Sequence, residues 1–366
     1  MTVLPRSVAA SGSTADVPPA LRTWVADRVL APVTATLLLV TIACAVLQLG
    51  GLRVPMAVQL VPFAVSILVF GLPHGAMDHL VPARLRPGTS VLRSIAVVVA
   101  VYVVVGSLTA GLWLAAPLVG FAVFIGITWF HWGQGDLFVD RLLGDGVTGR
   151  VGAALTVATR GALPMLVPFV VQPAAALHVV VGTAASLGSA PAATGADVVP
   201  LPLRALAGVL VLALVVVHLL VVVRSGTPVW RQVTEDVVLV LFFAAVPPVL
   251  AVGLYFTLWH AVRHIVRLEL TDPTAAVQLH RGRLLAPFLR FMRQAWPITV
   301  IAVVMLVALA AVLRRADLGV YLVLIAALTT PHTVVVTWMD RVQRTWSADG
   351  GDERDLLPGS VGPSRR

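Results

Sequence analysis

Residues Ala31–Leu52 read APVTATLLLVTIACAVLQLGGL, 22 residues without a charge. A helix rises 1.5 Å per residue, so about 20 apolar residues cross the roughly 30 Å hydrocarbon layer of a bilayer. Backbone amides in hydrocarbon must be satisfied within the segment, so this run reads as a transmembrane helix. Further apolar runs follow at Val54 to Leu72, Ser94 to Ala115, Pro117 to Phe138, Pro202 to Val223, Val237 to Ile265, Pro297 to Leu313 and Leu318 to Met339. A run from Val151 to Val171 is interrupted by Arg160, Pro164 and Pro168 and reads as a broken helix. The pattern predicts an all-α fold, a polytopic transmembrane helix bundle of eight to nine spans.

Composition agrees. Hydrophobic residues make up 58% of the 366 and charged residues 12%, against about 25% charged in soluble proteins. With a mean hydropathy of +0.95, lipid must solvate much of the surface. The net charge of +9 comes entirely from arginine, since the chain has no lysine. Its arginines are scattered between apolar runs, which fits positive-inside loops and argues against a nucleic-acid partner. Without an ε-amine, a lysine Schiff base is excluded, and with it a rhodopsin-type retinal pigment. Cys44 is the single cysteine, so disulfides within the chain and thiolate metal sites are excluded too. Residues 1–28 are expected to be a disordered cytoplasmic tail, 29–340 the membrane domain and 341–366 a polar C-terminal tail. Arg267, Arg281, Arg283, Arg290 and Arg293 place the loop 266–296 in the cytoplasm, which requires a ninth crossing between 151 and 187.

Four polar clusters interrupt this apolar background. A charged side chain at a helix centre in lipid costs roughly 2.5–3.5 kcal/mol on insertion scales, so such residues are candidates for function. The first is Gly71-Leu-Pro-His74-Gly-Ala-Met-Asp78-His79. A helix continuing past Pro73 would set His74 and Asp78 on one face, with the carboxylate orienting the imidazole. The second is Trp129-Phe-His131-Trp-Gly-Gln-Gly-Asp136. In the third, Trp259-His260-Ala-Val-Arg263-His264, two histidines four apart share one face, the spacing by which one helix offers two ligands to one metal. The fourth is Thr330-Pro331-His332, where His332 is a ligand, a donor to a ligand or a packed side chain. Imidazoles from His74, His131, His260 and His264 suit iron, zinc or copper, and spacing does not choose among them. Asp78, Asp136 and Asp340 are candidates to balance the metal charge from behind the ligands, with His79 and His332 as alternative ligands.

Pro73-His74-Gly-Ala-Met-Asp78-His79, Phe130-His131-Trp-Gly-Gln-Gly-Asp136, Trp259-His260-Ala-Val-Arg263-His264 and Pro331-His332 occur in the order found in the Brp/Blh family of bacteriorhodopsin-related β-carotene 15,15′-dioxygenases. The resemblance covers about residues 60 to 340 and is most specific at the PHGAxDH block. It implies that residues 29–340 form a membrane dioxygenase domain. The implied reaction is oxidative cleavage of β-carotene at its central double bond by O2, giving two molecules of all-trans-retinal. It also implies a non-haem Fe(2+) cofactor with His74, His131, His260 and His264 as ligands. β-Carotene, O2 and membrane lipid would be the partners, and no protein partner is implied. The expected location is the plasma membrane, as a multi-pass protein. Trp129, Phe130, Trp132, Tyr255, Phe256 and Trp259 are candidates to line a polyene channel. Two other classes compete: a transporter with an intramembrane histidine relay, and another histidine–metal oxidase or hydroxylase. A di-iron desaturase needs more histidine boxes than the single HxxxH present.

Overall fold

The computed structural model describes residues 17–147, 149–187, 199–226, 229–314 and 318–347, with no strand among them. Helix α1, Pro19–Leu49, begins inside the stretch expected to be a disordered tail. Val17, Leu21, Val25 and Leu30 explain this, because they bury against Phe138, Leu142, Val266 and Leu279. The expected tail residues 1–16 and most of the C-terminal tail, 348–366, lie outside the described residues. Helix α2, Met56–Leu85, is followed by α3, Val91–Ala115, and α4, Pro117–Leu143. Then come α5, Gly149–Val171, the short α6, Pro173–Ser186, and α7, Leu201–Arg224. Helices α8, Val229–Ala245, α9, Pro248–Leu270, α10, Pro273–His280, α11, Leu285–Leu313, and α12, Leu318–Val342, complete the bundle.

Among the described residues, eight helices are long and apolar enough to cross a bilayer: α1, α2, α3, α5, α7, α9, α11 and α12. Helices α4 and α8 run through the bundle beside them and carry many of its buried charges. The single span expected from Val237 to Ile265 is therefore two helices. Pro247 and Pro248 break it: neither has an amide hydrogen, and a residue before proline is pushed out of the helical region. Helix α8 also starts earlier than its apolar run, so Glu235 and Asp236 lie inside it. One end of α8 is held by Arg231, which pairs with Asp140 and Asp145. At the other end the Ala245 carbonyl accepts from Gln48 at 2.7 Å, beside the end of α1.

The run 151–171, expected to be broken, is a continuous helix with Pro164 and Pro168 inside it. The break falls at Gln172, whose amide donates to the Ala244 and Val246 carbonyls at 3.1 and 2.8 Å. Arg160 is tolerated because it is fully paired: Nε lies 3.1 Å from Asp236, one terminal nitrogen 3.3 Å from Glu235, and the other donates to Gln232 at 2.7 Å. Unpaired, such a charge would destabilise the bundle by several kcal/mol.

Contacts tie the arginine-rich turns together at one end of the bundle. Arg84 and Arg290 meet Asp272, and Arg141 donates to the Thr345 carbonyl. Asp272 also caps α10 by accepting from the Thr274 amide at 2.9 Å. Burial opposes its charge, but Arg290 and Arg84 outweigh burial and hold its carboxyl below the usual carboxylate range.

Glycines set the closest helix approach. A Cβ on Gly133 of α4 would run into the Val157 backbone of α5, and one on Gly161 into the Trp129 carbonyl. Gly126 on α4 has nothing in reach. Gly133→Ala should therefore cost about 1–3 kcal/mol through overpacking. Gly126→Ala should be neutral or stabilising by up to about 1 kcal/mol from helix propensity. Thermal unfolding in detergent checks the pair: equal midpoints for the two variants would refute the close-packing account.

Candidate metal centre

The centre is built on the second half of α9. A π-helical turn, Tyr255–His260, leads into a regular helix from Ala261. Such turns concentrate at functional sites. His260 and His264 then lie one helical turn apart on one face, and their rings stack at 6.3 Å. Arg263 and Arg267 lie on the adjoining face, three residues further along in each case. The sequence HxxRHxx R thus separates two chemistries on one helix, with imidazoles to one side and guanidiniums to the other.

On the guanidinium side each arginine meets a carboxylate. Arg263 lies 2.9 Å from Asp136 and 3.0 Å from Glu235, with its guanidinium 3.5 Å over the Trp259 ring. Trp259 also donates to Asp136 at 2.9 Å. Arg267 pairs with Asp340 at 2.7 Å and donates to Gln343 at 2.8 Å. Asp340 accepts in turn from Gln134 at 2.8 Å and Trp346 at 3.0 Å. Asp136 thus supports the centre through Arg263 and Trp259, and no histidine contact is recorded for it.

On the imidazole side five rings converge. His131 lies 4.7 Å from His260 and 4.8 Å from His332 between ring centres. His74 lies 5.1 Å from His332, 5.2 Å from His264 and 5.4 Å from His260. His264 and His332 are 4.9 Å apart. One ring nitrogen each of His74, His131 and His332 falls within 4.8 Å of the others. A second set of potential ligand atoms, from Asp78, His264 and His332, meets the same limit. His332 therefore stands within the cluster, beside the four histidines expected to be ligands.

Glycine and carboxylate positions explain how the rings fit. The WGQG segment places Gly135 against His260, where a Cβ would come within 3.4 Å of Nδ1. The carboxylate of Asp78 orients His332 rather than His74: His332 Nδ1 and Asp78 Oδ2 are 2.8 Å apart. The expected His74–Asp78 pairing fails because α2 stops being regular at Met77 and tightens into a 3-10 turn, Asp78–Leu80. His74 instead pairs with the Phe70 carbonyl at 3.1 Å. Tyr102 donates to the same Asp78 oxygen at 2.7 Å. Nothing in the sequence reading singled out Tyr102, although it is one of three tyrosines and interrupts an aliphatic run. His79 is outside the cluster: its Nδ1 pairs with the Ala76 carbonyl at 2.7 Å.

The ring nitrogens that face inward test the fit of a metal. Both nitrogens of His131 and of His260, and Nε2 of His264 and His332, are buried without a hydrogen-bond partner. Leaving a buried polar atom unpaired costs about 1–3 kcal/mol. Each ring can offer one nitrogen to a cation, so these four rings form a donor set, and neutral imidazoles suit iron, zinc or copper. A ring held at Nδ1 by a carboxylate, with Nε2 left without a partner, is the geometry of His332 and a common one for metal ligands.

Two apolar cavities meet at the centre. The nearer is lined by His74, His131, His332 and Tyr102. The larger is lined by Phe121, Phe124, Met165 and Pro168. Trp132, Phe256, Ile325 and Thr329 belong to both. Of the six aromatic residues expected to line a channel, Trp132 and Phe256 lie on the walls of these cavities. Tyr255 and Trp259 are buried in the core, Trp129 donates to the Ala158 carbonyl, and Phe130 is exposed and stacks on Trp346.

Comparison with known proteins bears on this site. The profile of a family described as beta-carotene 15,15′-dioxygenase matches residues 65–340. A Halobacterium salinarum protein named "Probable beta-carotene 15,15'-dioxygenase Blh" is 40% identical over 336 residues, 87% of this chain and 95% of that protein. A second protein of that organism, "Probable beta-carotene 15,15'-dioxygenase Brp", is 27% identical over 85% of this chain and 92% of its own length. No solved structure matches.

Loss of the carboxylate behind His332 separates a metal centre from ordinary packing. Asp78→Asn should bind Co(II) about 10–100-fold more weakly, with helix content unchanged. Titration in detergent checks this, and equal affinity would remove Asp78 from the centre.

Proposed function

Because the chain belongs to the β-carotene 15,15′-dioxygenase family, we propose that it cleaves β-carotene at the central 15,15′ double bond, using O2 and a non-haem Fe(II). The C=C bond is replaced by two C=O bonds, so one O2 accounts for both oxygens of two all-trans-retinal molecules. The observation that carries this reading is the convergence of unpartnered imidazole nitrogens beside apolar cavities.

His74, His131, His260 and His264 would hold the iron, with His332 as a further nitrogen ligand set by Asp78 and Tyr102. When bound, the iron supplies activation of O2 for attack on the alkene. The chain's own residues do the rest. Trp132, Phe256 and Ile325 give the polyene an apolar, water-poor passage beside the imidazoles. Arg263 and Arg267, paired behind the α9 histidines, fix the orientation of that helix. No acid or base is required of the protein.

A carotenoid dissolves in the bilayer, so an enzyme embedded in lipid meets its substrate there. We place the chain in the plasma membrane with its arginine-rich end toward the cytoplasm. A histidine proton relay in a transporter would need titratable groups stepping across the membrane. The five rings instead gather at one point, which supports a metal centre.

Expression in a bacterium that accumulates β-carotene tests the activity. Orange colour should fade with formation of all-trans-retinal, and His260→Ala should lower the yield at least 100-fold while the protein still inserts. Absence of retinal from cells that hold folded wild-type protein would refute the reading, as would off-centre apocarotenals.

A further inference from the structure

Threonine in a membrane helix ordinarily returns its hydroxyl to the carbonyl four residues back, which satisfies it in lipid. Thr41, Thr109, Thr183, Thr299, Thr330 and Thr333 all do so, at 2.7–3.0 Å. Thr128 and Thr329 do not. The Thr128 hydroxyl is buried with no hydrogen-bond partner. The hydroxyl of Thr329 makes no hydrogen bond among the described residues, although its carbonyl accepts from Thr333.

The two share a placement. Thr128 precedes His131 by three residues and Thr329 precedes His332 by three, so each lies one turn from an imidazole of the centre, on the same side of its helix. Both line the larger cavity, and Thr329 lines the nearer one as well. Their neighbours there are mostly apolar, among them Phe124, Ile125, Phe256 and Ile325. β-Carotene is a hydrocarbon and has no use for a hydroxyl. An aldehyde product has: its oxygen accepts a hydrogen bond, and on the proposed reaction it forms beside the imidazoles, whose cavity Thr329 lines.

We propose that the Thr329 hydroxyl, with Thr128 as its counterpart on α4, donates a hydrogen bond to the carbonyl oxygen of an apolar aldehyde held beside the imidazoles. The inference rests on the proposed reaction for the identity of that aldehyde, all-trans-retinal. It makes Thr329 a residue that distinguishes product from substrate. A hydroxyl contributes nothing to binding the polyene and gains a partner only once the oxygen is in place.

The valine variants keep the side-chain shape and remove a hydroxyl that is buried without a partner at Thr128 and half-buried at Thr329, so both should fold about as well as the parent. Binding of all-trans-retinal to the full-length protein, without O2, can be read from quenching of tryptophan fluorescence, with Trp132 on the shared wall. Thr329→Val should raise the retinal Kd about three- to tenfold, Thr128→Val should raise it less, and Thr329→Ser should restore it. The KM for β-carotene should rise less than the retinal Kd. Unchanged retinal Kd in both valine variants overturns the proposal, and so does a parallel rise in β-carotene KM, which would make the side chain a matter of shape. Retinal binding is read without turnover, so failure of the cleavage reaction itself appears separately, as wild-type protein that yields no retinal.

Discussion

A charge inside hydrocarbon must be paired, and the placing of nearly every polar residue in this bundle follows from that constraint. On α9 it takes a specific form. Arg263 and Arg267 occupy one side of the helix and meet Asp136, Glu235 and Asp340, which come from α4, α8 and α12. Each pair clamps α9 to another helix. With that side fixed, His260 and His264 have one direction left to face, toward His131, His74 and His332. Arg160 extends the same network through Asp236 to His218, whose Nδ1 lies 2.9 Å from the carboxylate. Replacing such pairs with apolar side chains need not weaken a fold. Their value here is in geometry: several helices are held at a defined rotation about one point.

The imidazole cluster is what that geometry achieves. Neutral histidines carry little penalty in lipid compared with an isolated ion, yet their inward nitrogens remain unsatisfied until a cation or a donor meets them. Gly135 lets His260 come close to the α4 backbone, and Asp78 with Tyr102 sets the orientation of His332. Around this polar core the cavity walls are mostly apolar. The family membership and the geometry both support the proposed chemistry, in which a nitrogen-ligated metal acts on a lipid-borne molecule.

Much of this was legible in the sequence, and the parts that were not share a cause. Apolar runs marked most helices, and the i, i+4 spacing of His260 and His264 marked the core of the site. Reading spans by apolarity alone failed where charges are neutralised inside the bundle. It starts a span only at Val237, after Glu235 and Asp236, which lie within α8 because Arg160, Arg231 and Arg263 meet them. It took Arg160 for a break in α5 for the same reason. It joined α8 and α9 across Pro247 and Pro248 because both sides are equally apolar. Asp78 was assigned to His74 on the assumption of an unbroken helix, whereas the 3-10 turn swings the carboxylate to His332. Tyr102 and the roles of His218 and Thr329 depend on which helices are neighbours, and one sequence does not contain that information.

The central claim is that these imidazoles hold one metal, with nitrogen donors from histidine and none from sulfur. X-ray absorption at the iron edge of the purified, iron-loaded protein tests it most directly. The account predicts four or five nitrogen donors with the outer-shell scattering of imidazole rings. A spectrum with fewer than three imidazoles, or with iron at a surface site that survives replacement of His131 and His260, would contradict it.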